Sequence, residues 1–220
     1  MRVATFNIRH GAPPGAPFGV SELIASCREL DADVLALQEV DRRTPRASFR
    51  DQASLVARDL GLHVTFVANR DWGPFGRAGN ALLSRRPLRE RRVLTLDGGR
   101  HPRRVIIART FDTTVVATHL ENDRHIATAQ FADLLGQLGD PVGPLVVLGD
   151  LNAGPDEIGP LAERAGLRPV ASGPSFPAGA PNRHIDWIAT SGVELDDVEV
   201  RTRTCSDHLP VVAVLRPSAA

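Results

Sequence analysis

The chain predicts an α/β sandwich, with two mixed β-sheets packed face to face and helices on their outer faces. Three observations lead there. Roughly eleven strand-like runs stand against four helical segments, counted by apolar periodicity. The helices are interspersed with hairpins, so the order is not the strict strand–helix alternation of a Rossmann sheet or a TIM barrel. The 220 residues are 42% apolar, with no repeat, low-complexity tract or linker. That suits one domain over residues 1–220, burying roughly 70% of its unfolded surface.

Val3–Ile8 reads as the first strand. Ser21 is a candidate cap for a helix through Leu30, with Leu23, Ile24, Cys27 and Leu30 at helical spacing. Val34–Val40 is an apolar run ending in Gln38 and Glu39, as expected of a strand buried on both faces. A second helix covers Asp51–Leu60 and stops at Gly61. Strands follow at His63–Asn69, Asn80–Ser84, Val93–Leu96, Arg104–Thr110 and Thr114–Leu120. A helix fits Ile126–Leu138, and Pro144–Leu148 is another buried strand. Pro155–Ala165 opens with proline and acids, as a helix start should. The last strands are Ile185–Thr190, Val198–Thr202 and Leu209–Leu215.

Composition excludes several functions. The formal charge is zero, which argues against coating nucleic acid by bulk charge. Every basic residue is arginine, and there is no lysine or tyrosine. Schiff-base lysine chemistry and phenol catalysis are therefore excluded. Cys27 and Cys205 fit no metal-binding spacing and make a poor disulfide framework. No GxGxxG or GxxxxGK[ST] motif supports nucleotide-cofactor chemistry. No apolar run approaches the ~18 residues of a membrane span, and no signal peptide is recognisable. These features predict a cytoplasmic protein, and a monomer is expected.

Four segments join strand-like runs to metal- or phosphate-binding groups: Thr5–Asn7, Leu37–Glu39, Gly149–Asn152 and Ser206–His208. Hard oxygen ligands on several strand ends can converge on one Mg²⁺. Glu39 is a candidate ligand, because a half-buried carboxylate needs a balancing cation. The alternative is an ion pair to Arg42 or Arg43. Asn7 offers an amide oxygen, or else a turn. In Gly149-Asp150-Leu151-Asn152, the Asp150 carboxylate can activate water and Asn152 can hold it, both on one side if the backbone stays extended; an Asx turn competes. His119 and His208 are candidate phosphoryl contacts, against the reading of packed core histidines. Asp207 is a candidate metal ligand. Asp186 invites a histidine partner, His208, because a buried carboxylate orients and charges an imidazole; an arginine salt bridge competes.

In order, the blocks TFNIRHG (Thr5–Gly11), LQEVD (Leu37–Asp41), GNALLSR (Gly79–Arg85), THLEN (Thr118–Asn122), GDLNAGP (Gly149–Pro155), HIDWI (His184–Ile188) and SDHLPV (Ser206–Val211) resemble the endonuclease/exonuclease/phosphatase superfamily. The resemblance implies a four-layer α/β sandwich with its site at one rim of the two sheets. It implies Mg²⁺ or Mn²⁺ held mainly by Glu39, with Asn7 and Asp207 nearby. Asp150 would activate water, and Asn152 would position it or the phosphate. His119 and His208 would hold phosphoryl oxygens, with Asp186 orienting His208. Arg43, Arg77, Asn80 and Arg183 complete the set as candidate substrate contacts. Two positions depart from the pattern: His184 stands where Arg or Lys usually precedes Ile-Asp, and Ala127 where Arg often precedes Gln130. The missing tyrosines and the THLEN block argue against a close abasic-endonuclease analogue.

The expected partner is a phosphoester, either a small or lipid-derived molecule or, with the same site, DNA or RNA. A non-catalytic phosphate-binding module is the third reading. Eight arginines lie between Arg85 and Arg104. They read either as a phosphate-backbone track or, with no interleaved aromatics for base stacking, as a solvated hairpin balanced by Glu194, Asp196, Asp197 and Glu199. Trp72 and Phe75, in the Gly-rich Asp71–Gly79 loop, are candidates for one side of a substrate cleft, if that loop does not simply pack down.

Overall fold

A computed structural model describes residues 1–140, 142–202 and 204–217. The chain begins β1 (Arg2–Asn7), α1 (Val20–Glu29), β2 (Val34–Arg42), α2 (Gln52–Leu60) and β3 (His63–Asp71). Four strands follow, β4 (Arg77–Ser84), β5 (Arg89–Leu96), β6 (Arg103–Thr110) and β7 (Thr113–His119). Then come α3 (Arg124–Leu138), β8 (Leu145–Asp150), α4 (Pro155–Arg164), β9 (Arg168–Pro169), β10 (Asp186–Ser191), β11 (Val193–Val200) and β12 (Val211–Pro217).

The strands form two six-stranded sheets, β11-β12-β1-β2-β4-β3 and β5-β6-β7-β8-β10-β9. Each is antiparallel except for one central parallel pair, β1/β2 in the first and β7/β8 in the second. Three apolar layers follow from the period of two along the strands. Phe6, Leu35 and Leu37 meet Leu23 and Cys27 of α1 and Val56 of α2. Val116, Val147 and Trp187 meet Phe131 and Leu134 of α3 and Ile158 of α4. Between the sheets, Val3, Ala36 and Leu82 face Val115, Val146 and Ile188. The order is therefore helix, sheet, sheet, helix.

Local signals set the helix ends. Asp51 caps α2 by accepting from Ser54 N at 3.1 Å, and Gly61 ends it at φ +67°. Asp123 caps α3 through His125 N and Ile126 N. The helix predicted from Ser21 instead begins at Val20, with Gly19 at the cap.

Other departures have physical causes. Strand β9 has two residues, too short for a periodic signal. Strand β11 was expected over Val198–Thr202, but it starts at Val193. As an edge strand bonded only to β12, it tolerates the charged run that hides it from an apolar pattern. Strand β12 starts at Val211 rather than Leu209, since Pro210 has no N–H to give a ladder. Strand β2 does not end at Glu39; it passes a bulge and continues to Arg42.

The arginine run is also balanced differently from expectation. Arg85 pairs with Asp31 and Asp33 and Arg103 with Glu121. Glu194 and Asp196 pair with Arg216, and Glu199 with Arg2 and Arg201. No helix among the described residues is long and apolar enough to cross a membrane.

Candidate active site

Strand parity brings the polar groups together. In β1, Ala4 and Phe6 face the helices and Val3 faces the other sheet, so Asn7 shares the inter-sheet side with Val3. In β7, Val115 and Ala117 face the gap, and His119 is next in that series. In β8 the series is Val146, Leu148, Asp150, and in β10 Asp186 shares a side with Ile188. Asp150 is in register with His119 on one flank and Asp186 on the other. In β7 and β8 the series runs apolar through Val115 and Ala117 or Val146 and Leu148 before ending polar at one rim, while in β1 buried Thr5, bonded to Gln38, precedes Asn7.

Glu39 arrives by a different route. Gln38 holds the inward position and donates to Thr5 Oγ1 at 3.0 Å. The register then shifts between Leu37 and Val40, and Glu39 takes φ +55°. A bulge of this kind re-aims a side chain that strict alternation would turn away.

The hub is one oxygen, Asp150 Oδ2. Asn7 Nδ2 donates to it at 2.9 Å, His119 Nε2 lies at 3.5 Å and His208 Nε2 at 3.8 Å. Asn7 Nδ2 also reaches Glu39 Oε1 at 3.4 Å. His208 Nδ1 bonds Asp186 Oδ2 at 2.8 Å, and Ser175 Oγ donates to the same oxygen at 2.6 Å. Phe176 packs on the His208 ring, with centroids 4.7 Å apart. Asp207 pairs with Arg9 Nε at 3.2 Å, and Arg9 N donates to Asn7 Oδ1 at 3.0 Å.

Asn152 departs from the extended geometry expected. Its φ is +51°. Its N–H donates to Asp150 Oδ1 at 3.1 Å and its Nδ2 to the Leu120 carbonyl at 3.2 Å. The side chain thus ties β7 to the loop after β8, and the backbone anchors the carboxylate.

Electrostatics separate the two imidazoles. Burial alone would lower His208, but the Asp186 and Asp150 carboxylates outweigh it and raise it to about 10. Burial lowers His119 to about 4; Asp150 opposes the shift, while Arg103 and His208 add to it. His208 is therefore charged and His119 neutral at neutral pH. Burial and the Asp186 charge raise the Asp150 carboxyl, against the two imidazoles and Asn7.

The remaining candidates are more dispersed. Asn80 is buried in β4 and donates to the Arg104 carbonyl at 3.0 Å, joining the two sheets. Arg77 is bound to Asp71 at 2.8 Å, and with Arg43 it lines a separate pocket with Gly73 and Pro74. Arg183 lies over the Phe176 ring at 5.3 Å, one residue removed from His208. Ser175, Phe176 and Arg9 were not anticipated as part of the site; the first two lie in a segment with no motif, and their roles arise only from the fold.

Asp150, Asp186 and His208 offer ligand atoms within 4.8 Å of one another, a buried cluster compatible with a divalent cation. Asp186 Oδ2 is committed to His208 and Ser175, while its Oδ1 is buried without a hydrogen-bond partner among the described residues. Among the described residues, Glu39 makes no ion pair, and the Asn7 amide spans its carboxylate and that of Asp150. Carboxylates gathered like this fit a hard cation. Glu39 and His119 also line a cleft of about 530 Å³, along with Trp72, Asn122 and four arginines, Arg46, Arg70, Arg100 and Arg103.

A profile of the Endonuclease/Exonuclease/phosphatase family matches residues 4–208. No curated protein matches the sequence. Among solved structures, an endonuclease/exonuclease/phosphatase from Beutenbergia cavernae is 25% identical with a TM-score of 0.81, over 100% of this chain and 72% of that one. The human Nocturnin catalytic domain, with bound sulfate anion, is 21% identical with a TM-score of 0.74, over 99% and 93%. A mannosyl-6-phosphatase of Bacteroides thetaiotaomicron is 16% identical with a TM-score of 0.76, over 98% and 99%. The last two likenesses show the fold alone.

Proposed function

Because the chain belongs to the endonuclease/exonuclease/phosphatase family, we propose that it is a divalent-metal-dependent phosphoesterase whose water-activating base is Asp150. One observation carries this reading: Asp150 Oδ2 lies within 2.9 Å of an amide and within 3.8 Å of two imidazoles. A buried carboxyl raised by its surroundings is a stronger base than one in water. It takes a proton from water, the water oxygen attacks phosphorus, the P–O ester bond breaks with its electron pair going to the departing oxygen, and that oxygen takes a proton from solvent to leave as the alcohol.

Positioning and charge neutralisation carry most of such a reaction. His208, held charged by Asp186, faces one phosphoryl oxygen. Neutral His119 donates to another. Asn152 fixes Asp150 through its backbone. Glu39, Asn7 and Asp207 would hold Mg²⁺ or Mn²⁺, which when bound would polarise the phosphoryl group as a Lewis acid. Arg183, over the Phe176 ring that packs on His208, is assigned to an outer substrate contact; Asn80 is buried between the sheets and Arg43 and Arg77 line a different pocket, so they are given no place at the ester. The cleft of about 530 Å³ beside Glu39 and His119 has room for a small phosphoester.

The test is a panel of phosphoesters, including bis-aryl phosphate, sugar phosphates, short RNA and plasmid DNA, with Mg²⁺, Mn²⁺ or EDTA. Metal-dependent release of phosphate or alcohol from a small ester, abolished in Asp150→Ala, is expected. An inert parent would refute the proposal; cleavage of plasmid DNA at low enzyme excess would favour the nuclease instead.

A further inference from the structure

Four guanidiniums line the cleft beside Glu39 and His119, and they divide into two kinds. Arg46 is held by Asp41 through bonds of 2.6 and 2.9 Å. Arg103 is held by Glu121 at 3.1 Å. Among the described residues, the side chains of Arg70 and Arg100 have no carboxylate partner, and both are exposed to the cleft.

Their backbones, by contrast, are fixed. Strand β3 carries a register shift between Ala68 and Arg70, and such a bulge turns a side chain from its regular direction. The intervening Asn69 accepts from Arg104 N at 2.8 Å, tying β3 to β6 of the other sheet. Arg100 sits in the turn joining β5 to β6. Its N–H donates to Glu121 Oε2 at 3.2 Å, and Gln130 Nε2 holds the Asp97 carbonyl at 3.0 Å. Two arginines from different sheets are thus presented to one cleft on anchored backbone. Trp72 lines the same cleft, with Arg46 6.0 Å from its ring centroid.

We propose that Arg70 and Arg100 form a subsite for a second anionic group, so that the substrate is a small phosphoester with another phosphate or carboxylate on its leaving-group side and a flat ring packing on Trp72. This rests on the phosphoesterase reading and names the substrate class of that site. The reacting phosphoryl group sits at Asp150 and the two imidazoles. The second anion neutralises the spare cations in the same cleft. Guanidinium pairs with phosphate are charge-assisted and directional, and one such contact contributes enough for about a tenfold preference or more.

The experiment compares adenosine 3′,5′-bisphosphate with adenosine 3′-phosphate and 5′-phosphate, measuring phosphate release and kcat/KM in Mg²⁺ or Mn²⁺. The parent is expected to favour the bisphosphate by about tenfold or more over either monophosphate, mainly through KM. In Arg70→Gln/Arg100→Gln the ratio should fall to near one, and each single variant should lie between. Arg89→Gln, on the exposed strand β5, should keep the parent's ratio. A parent that hydrolyses the monophosphates without preference, or a preference that survives the double variant, overturns the subsite and leaves the phosphoesterase standing. A parent inert on every ester with either metal overturns both.

Discussion

His119 and His208 reach the same oxygen of Asp150, at 3.5 and 3.8 Å, yet one is neutral and the other charged. One is pushed down to about 4, first by burial; the other is raised to about 10 by two carboxylates against its own burial. Groups whose environments push them apart in this way take different roles in one site. Of the two imidazoles, only His208 is bonded to Asp186, the first carboxylate that raises it.

Asp186→Asn is therefore expected to lower kcat by about 10²–10⁴, the range of a positioned acid or base. It should also move the alkaline limb of the pH–rate profile toward neutrality, because His208 loses the charge that keeps it protonated. A uniform loss with an unmoved profile would show that Asp186 only supports the fold.

The same pair links stability to pH. His208 has a folded value of about 10 against an ordinary 6.5. Its contribution is complete below pH 6.5 and is lost as pH rises through about 10. Urea unfolding between pH 6 and 10 should show the parent losing on the order of a few kcal/mol more than His208→Gln. Parallel curves for the two proteins would contradict this.

Glu39 bears on metal binding without reference to turnover. Adding Mg²⁺ or Mn²⁺ should raise the parent's melting temperature in proportion to the logarithm of metal above its dissociation constant. Glu39→Gln should shrink that shift, and Asn7→Asp, which sets a third carboxylate beside Glu39 and Asp150, should lower stability in EDTA and regain it with metal. An equal shift in parent and Glu39→Gln would move the cation elsewhere.

Gly149 is needed for space. A Cβ there would stand 2.2 Å from the Thr118 carbonyl oxygen, and a backbone atom cannot swing away. Gly149→Ala should cost about 1–3 kcal/mol as an overpacking change, read by thermal or urea unfolding. It should also lower activity, since β8 carries Asp150 on the next residue. Full stability in the variant would show that the strands part freely.

The sequence by itself determined the two-sheet sandwich, the order of its helices and the polar residue ending each buried strand. Apolar periodicity is a local property: Asn7, His119 and Asp150 each end a strand, and Asp186 opens one, on the side that alternation had already turned toward the gap. The family resemblance added roles for them. Tertiary structure alone decided what depends on contacts between distant segments: the bulge that aims Glu39, the left-handed turn of Asn152, and the support from Ser175 and Phe176. For Asp186, the sequence offered His208 or an arginine as partner, and the fold selected His208. It also decided which arginines were neutralised, since Glu121 rather than the acids of β11 faces Arg103. Charge pairing depends on distance through space, and a linear pattern carries no record of it.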